Sequence, residues 1–219
     1  YDVPAAVCPA GEQFAAGRVS TLFDGGGQTH YCYNRFGDVV RKVQQHAGSS
    51  LVLRYRYHPG GALAAVIHAD GTEVDYVHDS QGRVRDIGVR LAGGSRQMLL
   101  AGARHAPFGP VTGWQFGNGR TMQRLLDQDY RVQSVTDDRG QMVLHYSHDA
   151  AGQIVGLQVD GFPVQLDYDS LGRLQTFRDG ATGALIEQYS HDATGNRLQL
   201  ANAGLVQNYS YPADSHRLT

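Results

Sequence analysis

The chain has 219 residues with 19 Lys and Arg against 21 Asp and Glu, a formal charge of -2 and a pI near 6.6, so no basic field invites nucleic acid or an anionic membrane. No stretch approaches the roughly 18 apolar residues of a membrane-spanning helix. The 28 Gly and 7 Pro are spread over turn positions rather than gathered in one low-complexity tract, which argues for folded β structure and against disorder.

Residues 1–16 read as a connecting segment from a preceding repeat. It carries no starting Met, positive n-region or apolar h-region, so no signal peptide is visible. Tyr1-Asp2 matches the tail of a phrase that recurs downstream. The other end stops at Leu218-Thr219, where a new strand should run on, so the chain is expected to be a piece of a longer one. The stretch from Ala10 to Ala16 offers a turn of helix. Cys8 and Cys32 allow a disulfide in an oxidising compartment, but two cysteines do not make a disulfide framework. The reading adopted is two small buried apolar side chains.

From 17 to 219 the chain repeats one phrase nine times: an aromatic or His, usually Asp, two variable residues, usually Gly, often Arg, then Val, Leu or Ile. The anchors are Tyr33, Tyr57, His78, His105, Leu126, His148, Tyr168, His191 and Tyr211, a period of about 22 residues that signals a repeat architecture. Asp stands at Asp79, Asp127, Asp149, Asp169 and Asp192, with Asn34 as near-equivalent. Gly follows at Gly37, Gly61, Gly82, Gly109, Gly152, Gly172 and Gly195, while Tyr130 and Ser215 depart. Arg precedes the apolar residue at Arg83, Arg131, Arg173, Arg197 and Arg217. The apolar position is filled in every copy, the last two, Leu198 and Leu218, displaced by one residue.

The physics of one copy explains the pattern. Leu166 and Tyr168 lie two apart and share a strand face. Asp169 bonds backbone amides ahead of it, and Gly172 accepts the positive φ that closes a type I turn with a bulge. Arg173 falls on the opposite face from Leu174, where its guanidinium reaches for a carboxylate or carbonyl across the hairpin. A second turn lies midway between copies, at Asp24-Gly25, Asp70-Gly71, Asn118-Gly119, Asp160-Gly161 and their equivalents. Each repeat is therefore two strands and two turns, and the prediction is an all-β array of roughly 16 to 18 antiparallel strands with almost no helix.

The phrase in LDYDSLGRL from Leu166 to Leu174, the segment APFGPVTGWQFGNGR from Ala106 to Arg120, and YSYPADSHRL from Tyr209 to Leu218 resemble the RHS (YD) repeat family. The family includes bacterial polymorphic toxins, components of insecticidal toxin complexes, wall-associated proteins and teneurin ectodomains. The resemblance implies a β-hairpin ribbon that spirals into part of a hollow shell, often around a C-terminal toxic polypeptide. The D-P-x-G core motif that ends such shells is missing here, so self-cleavage and a plug are not carried over. What transfers is a wall segment of a large secreted or cell-surface protein, whose partners are the adjoining repeats and an encapsulated toxin.

No catalytic, cofactor or metal site is expected. The repeat histidines His78, His148 and His191 take Tyr places one per repeat, whereas zinc needs several ligands converging on one point. The Asp-x-x-Gly loops offer one carboxylate each, too few for calcium. Ser147-His148-Asp149 and Ser190-His191-Asp192 alternate faces along a strand and cannot form a relay. No G-x-S-x-G elbow, H-E-x-x-H or phosphate loop occurs. The alternative function is cell-surface adhesion or glycan binding by the Tyr row at Tyr31, Tyr55, Tyr76, Tyr146, Tyr189 and Tyr209. Exposed strand edges would also let such a segment self-associate.

Overall fold

The structure is a computed structural model that describes residues 1–218; Thr219, the last residue of the predicted array, lies outside them. It is all-β, with 18 strands and, among the described residues, no helix. The chain divides into two compact units, the first comprising Tyr1–Arg104 and Trp114–Gly119, the second His105–Gly113 and the residues from Arg120 on.

The first unit runs β1 (Thr21–Asp24), β2 (Gly27–Tyr33), β3 (Val39–His46), β4 (Ser49–Tyr57), β5 (Leu63–Ile67), β6 (Glu73–His78), β7 (Val84–Arg90) and β8 (Gln97–His105), each antiparallel to the next. The division between the units falls within β9 (Val111–Phe116). The second unit continues with β10 (Thr121–Leu126), β11 (Val132–Asp137), β12 (Val143–His148), β13 (Ile154–Val159), β14 (Phe162–Tyr168), β15 (Leu174–Asp179), β16 (Leu185–His191), β17 (Arg197–Asn202) and β18 (Leu205–Asn208), again paired in sequence order.

The repeat phrase sets the register. Asp167 opposes Thr176 but Tyr168 opposes Leu174, so Gln175 is an extra residue on the return strand. The same shift precedes Tyr33, Tyr57, His78, Leu126, His148 and His191. A bulge at each of these seven copies sharpens the local twist of the ribbon.

Alternation then sorts the faces. In the first unit Tyr55, Val66, Val74 and Val89 oppose one another in succession across β4 to β7. In the second, Tyr146, Leu157 and Val164 do so across β12 to β14, and Leu166 opposes Phe177. These cross-strand apolar contacts are the unit of sheet stabilisation. The opposite face is polar. Arg56 and Arg90 both pair with Glu73, and Arg96 reaches Asp75 at 2.6 Å. The Arg96 guanidinium lies so close over Gly88, the register partner of Asp75, that a Cβ there would collide with it. Ion pairs this exposed add little stability each; their effect is to order the face.

The deepest burial is where residues 1–20 lie on β2 and β3. Cys8 and Cys32 are 2% and 0% exposed, and they are bonded to each other with Cα atoms 5.4 Å apart. This corrects the reading of two free buried thiols: two sulfurs brought this close in a buried pair form the link that sequence spacing alone does not reveal. The helical turn expected at 10–16 is also absent. Phe14 N–H donates to Tyr33 O at 3.3 Å and Tyr33 N–H to Glu12 O at 2.9 Å, so the backbone bonds to β2 instead of to itself. Glu12 clamps Arg41 through Nε at 2.6 Å and Nη2 at 3.0 Å.

Candidate functional site: the repeat turn and its staples

The recurrent chemistry lies in the turn. In the copy at Asp169, that residue's N–H donates to Arg173 O and Gly172 N–H donates to Asp169 O, both at 2.9 Å. Its Oδ1 accepts from Leu171 N–H and Arg173 N–H at 2.9 Å, and Oδ2 accepts from Arg173 Nε at 2.7 Å. One carboxylate thus satisfies the amides that a tight loop leaves without ladder partners. Gly172 supplies φ of 74°. Asp79 with Arg83 and Asp127 with Arg131 repeat the set. Asp149 caps Ala151 and Gln153, and Asn34 caps Phe36 and Asp38.

At Asp169 and Asp79 these bonds hold the carboxyl below the usual carboxylate range, the largest cause being the amide of Arg173 for Asp169 and that of Arg83 for Asp79. At Asp192 desolvation is the largest single influence and pushes upward. The Asn196 and Thr194 side chains and their amides outweigh it and bring the carboxyl to about 2.

The Arg does more than close its own turn. Arg131 Nη1 donates to Asp149 O at 3.2 Å, and Arg173 Nη1 donates to Asp192 O at 2.6 Å. Each therefore staples one repeat to the next. The anchor tyrosines staple in the other direction: Tyr33, Tyr57, Tyr168 and Tyr211 hydroxyls donate to the carbonyls of Val19, Val39, Ile154 and Arg197, at 2.7, 2.8, 2.7 and 3.2 Å. Of the histidine anchors, His78 packs edge-on to His58 with ring centroids 5.5 Å apart.

Three positions differ from expectation. Gly109 does not take the positive φ; Phe108 does, at 53°. The Tyr130 ring lies against Gly109, and its hydroxyl donates to Pro107 O at 2.7 Å, so Gly109 is held by close approach rather than by φ. Tyr130 itself takes the left-handed φ, 62°, that glycine takes in other copies. In the copy at His191 nothing is displaced: Asn196 closes the turn, and Arg197, not Leu198, opposes His191 as Leu174 opposes Tyr168. Loop length fixes the register, so a one-residue slip would turn the strand over. Arg197 then stacks on Tyr209, its Cζ 4.5 Å from the ring centroid. Arg217 N–H donates to Ser215 Oγ.

A further copy of the phrase is split by an insertion. Asp2 N–H donates to Arg18 O at 3.1 Å, as Asp169 N–H does to Arg173 O in an intact turn, and Gly17 N–H donates to Asp2 Oδ1 at 2.6 Å. Tyr1-Asp2 and Gly17-Arg18-Val19 are its halves, with Cys8 between them. Gly-Arg-Val after a gap was the signal in the sequence. Among the described residues no group of three or more His, Cys, Asp or Glu could hold a metal ion.

No protein-family model matches the sequence, and no curated protein matches it. Solved structures do match by fold. TcdB2-TccC3, and the same assembly without its hypervariable C-terminal region, each superpose with a TM-score of 0.79 at 15% identity over 93% of this chain. The Tc holotoxin pore of Photorhabdus luminescens gives 0.77 at 15% identity over the same share. The chain spans 12–13% of the length of those chains. The fold is thus that of a stretch of a toxin-complex β array, which is the RHS-type fold that the repeat phrase resembles.

Proposed function

We propose that the chain is a wall segment of an RHS-type shell, part of a large exported bacterial protein that encloses a toxic C-terminal polypeptide. The observation that carries this reading is the two-way stapling of successive repeats, Arg173 forward to Asp192 O and Tyr168 back to Ile154 O. Such bonds spend the recurrent polar groups of the phrase on holding neighbouring hairpins side by side, which is what a wall requires. The likeness in fold to TcdB2-TccC3 supports it, and the Cys8–Cys32 disulfide supports folding in an oxidising compartment. The repeat residues named above act here as wall fastenings, without chemistry of their own. The test is protease protection. With adjoining repeats and the polypeptide that follows them expressed together, that polypeptide should survive trypsin levels that digest it alone. Equal digestion rates would overturn the shell reading. A glycan array is the parallel check: binding abolished by Tyr55→Ala in a folded variant would favour the adhesion reading.

A further inference from the structure

We propose that the cleft between the turns Asn34–Asp38 and His58–Ala62 is a binding site for an arginine side chain presented by a partner polypeptide. The argument starts from what fills the corresponding space elsewhere. Between the turns of Asp127 and Asp149 it is Arg131, and between those of Asp169 and Asp192 it is Arg173. Between the turns of Asp149 and Asp169, Gln153 lies against Gly172, its Nε2 2.8 Å from where a Cβ would stand. Between Asp2 and Asn34, Arg18 lies directly against Gly37. Beyond Asp192, His216 Nδ1 meets Asn196 Oδ1 at 2.8 Å. The inter-turn space is repeatedly a seat for a nitrogen-bearing side chain, three times a guanidinium.

In the copy at Asn34 the carboxylate sits at the other end of the turn and the closing guanidinium is missing. The turn's first residue is neutral, and the last, where Arg173 stands elsewhere, is Asp38. Asn34 Nδ2 donates to Asp38 Oδ2 at 2.9 Å, and among the described residues Asp38 forms no ion pair. A cleft of about 590 Å³ results, lined by Asn34, Phe36, Asp38, Tyr55, Tyr57 and His58 among others. It keeps the acceptors the staple uses: a carboxylate from one turn, and the carbonyl of the next turn's first residue, here His58, which takes a single turn bond from Gly61 N–H at 2.9 Å. A guanidinium is a planar fork that can donate to both at once, whereas an ammonium is a point donor. The aromatic walls suit a weakly hydrated cation, and Phe36 already accepts one: Arg35 Cζ stands 4.7 Å from its ring centroid. Arg56 also borders the cleft, but its guanidinium is committed to Glu73.

The probe is the peptide acetyl-Gly-Arg-Val-amide, titrated into the isotopically labelled 219-residue chain and followed by amide chemical shifts. Matched peptides carry citrulline or Lys in place of Arg. The expected result is shifts confined to residues 34–38 and 55–61, with citrulline binding at least tenfold and Lys several-fold more weakly. Asp38→Asn should weaken the Arg peptide at least fivefold. The double change Asn34→Asp with Asp38→Arg should rebuild the internal staple, abolish binding and raise the melting temperature, which separates a filled site from an unfolded one. Citrulline binding as well as Arg, shifts located elsewhere, or full binding by the double variant would each overturn the proposal.

Discussion

At the scale of single residues, the repeat turn is a problem in backbone accounting. A five-residue loop leaves amides with no strand partner, and a carboxylate at its first position takes two of them while its second oxygen holds the closing Arg. Gly172 completes the loop at a φ that a side chain with a β-branch resists. Gly172→Val is expected to cost about 1–3 kcal/mol, read as a lower melting temperature than for Ser170→Val, which touches no strained dihedral. The same bonds predict acid sensitivity. The Asp192 carboxyl stands at about 2 in the folded chain against roughly 3.9 unfolded. As pH falls the unfolded chain takes up the proton first, so the stabilisation is complete above about pH 4 and drains away through about pH 2. Urea midpoints between pH 5 and 2 should fall more steeply for the wild-type chain than for Asp192→Asn, which has no proton to take up there. The identity of these turn residues was plain in the sequence, because chemistry this local needs only five consecutive letters. The second bond of Arg173, to a carbonyl 19 residues on, was not, because it depends on which turns the sheet lays side by side.

At the scale of elements, the hairpin is uniform and the N-terminal segment is the exception. Fourteen residues stand between Asp2 and Gly17 where an intact turn has two; they open one copy of the turn, and the insertion is tied down by the Cys8–Cys32 bond, the Glu12–Arg41 ion pair and backbone bonds to Tyr33. A link across 24 residues restricts the unfolded chain enough to contribute about 3–4 kcal/mol. Dithiothreitol should therefore lower the melting temperature and open a new protease cut within residues 3–16; Cys32→Ser should do the same without reductant. If the oxidised and reduced chains melt together, the segment is held by its other contacts alone. Periodicity could not reveal this arrangement, since the insertion interrupts the period and the cysteines lie outside the repeated phrase.

At the scale of the whole molecule, the strand array ends on a short strand, β18, whose residues are all exposed. In β18, Leu205 and Val206 are 75% and 55% exposed. A regular apolar edge recruits another strand, and the chain should self-associate on concentration. Light scattering over a dilution series checks this, with Val206→Lys expected to shift the balance toward the 23.8 kDa monomer, because an edge charge must be desolvated on pairing. A wild-type chain that stays monomeric at every concentration would show that the edge is already blunted.

The sequence by itself determined the hairpin, its turn chemistry, its antiparallel sense and the number of strands, because all of these follow from residues within one period acting on their neighbours. Only the tertiary structure decided which turn each Arg staples, that Arg197 stands in an apolar place, that Cys8 meets Cys32, and that Tyr1-Asp2 joins Gly17-Arg18. Those depend on the bulged, twisted stacking of successive hairpins, which brings together groups 14 to 24 residues apart that no local pattern distinguishes from their equivalents in the next copy.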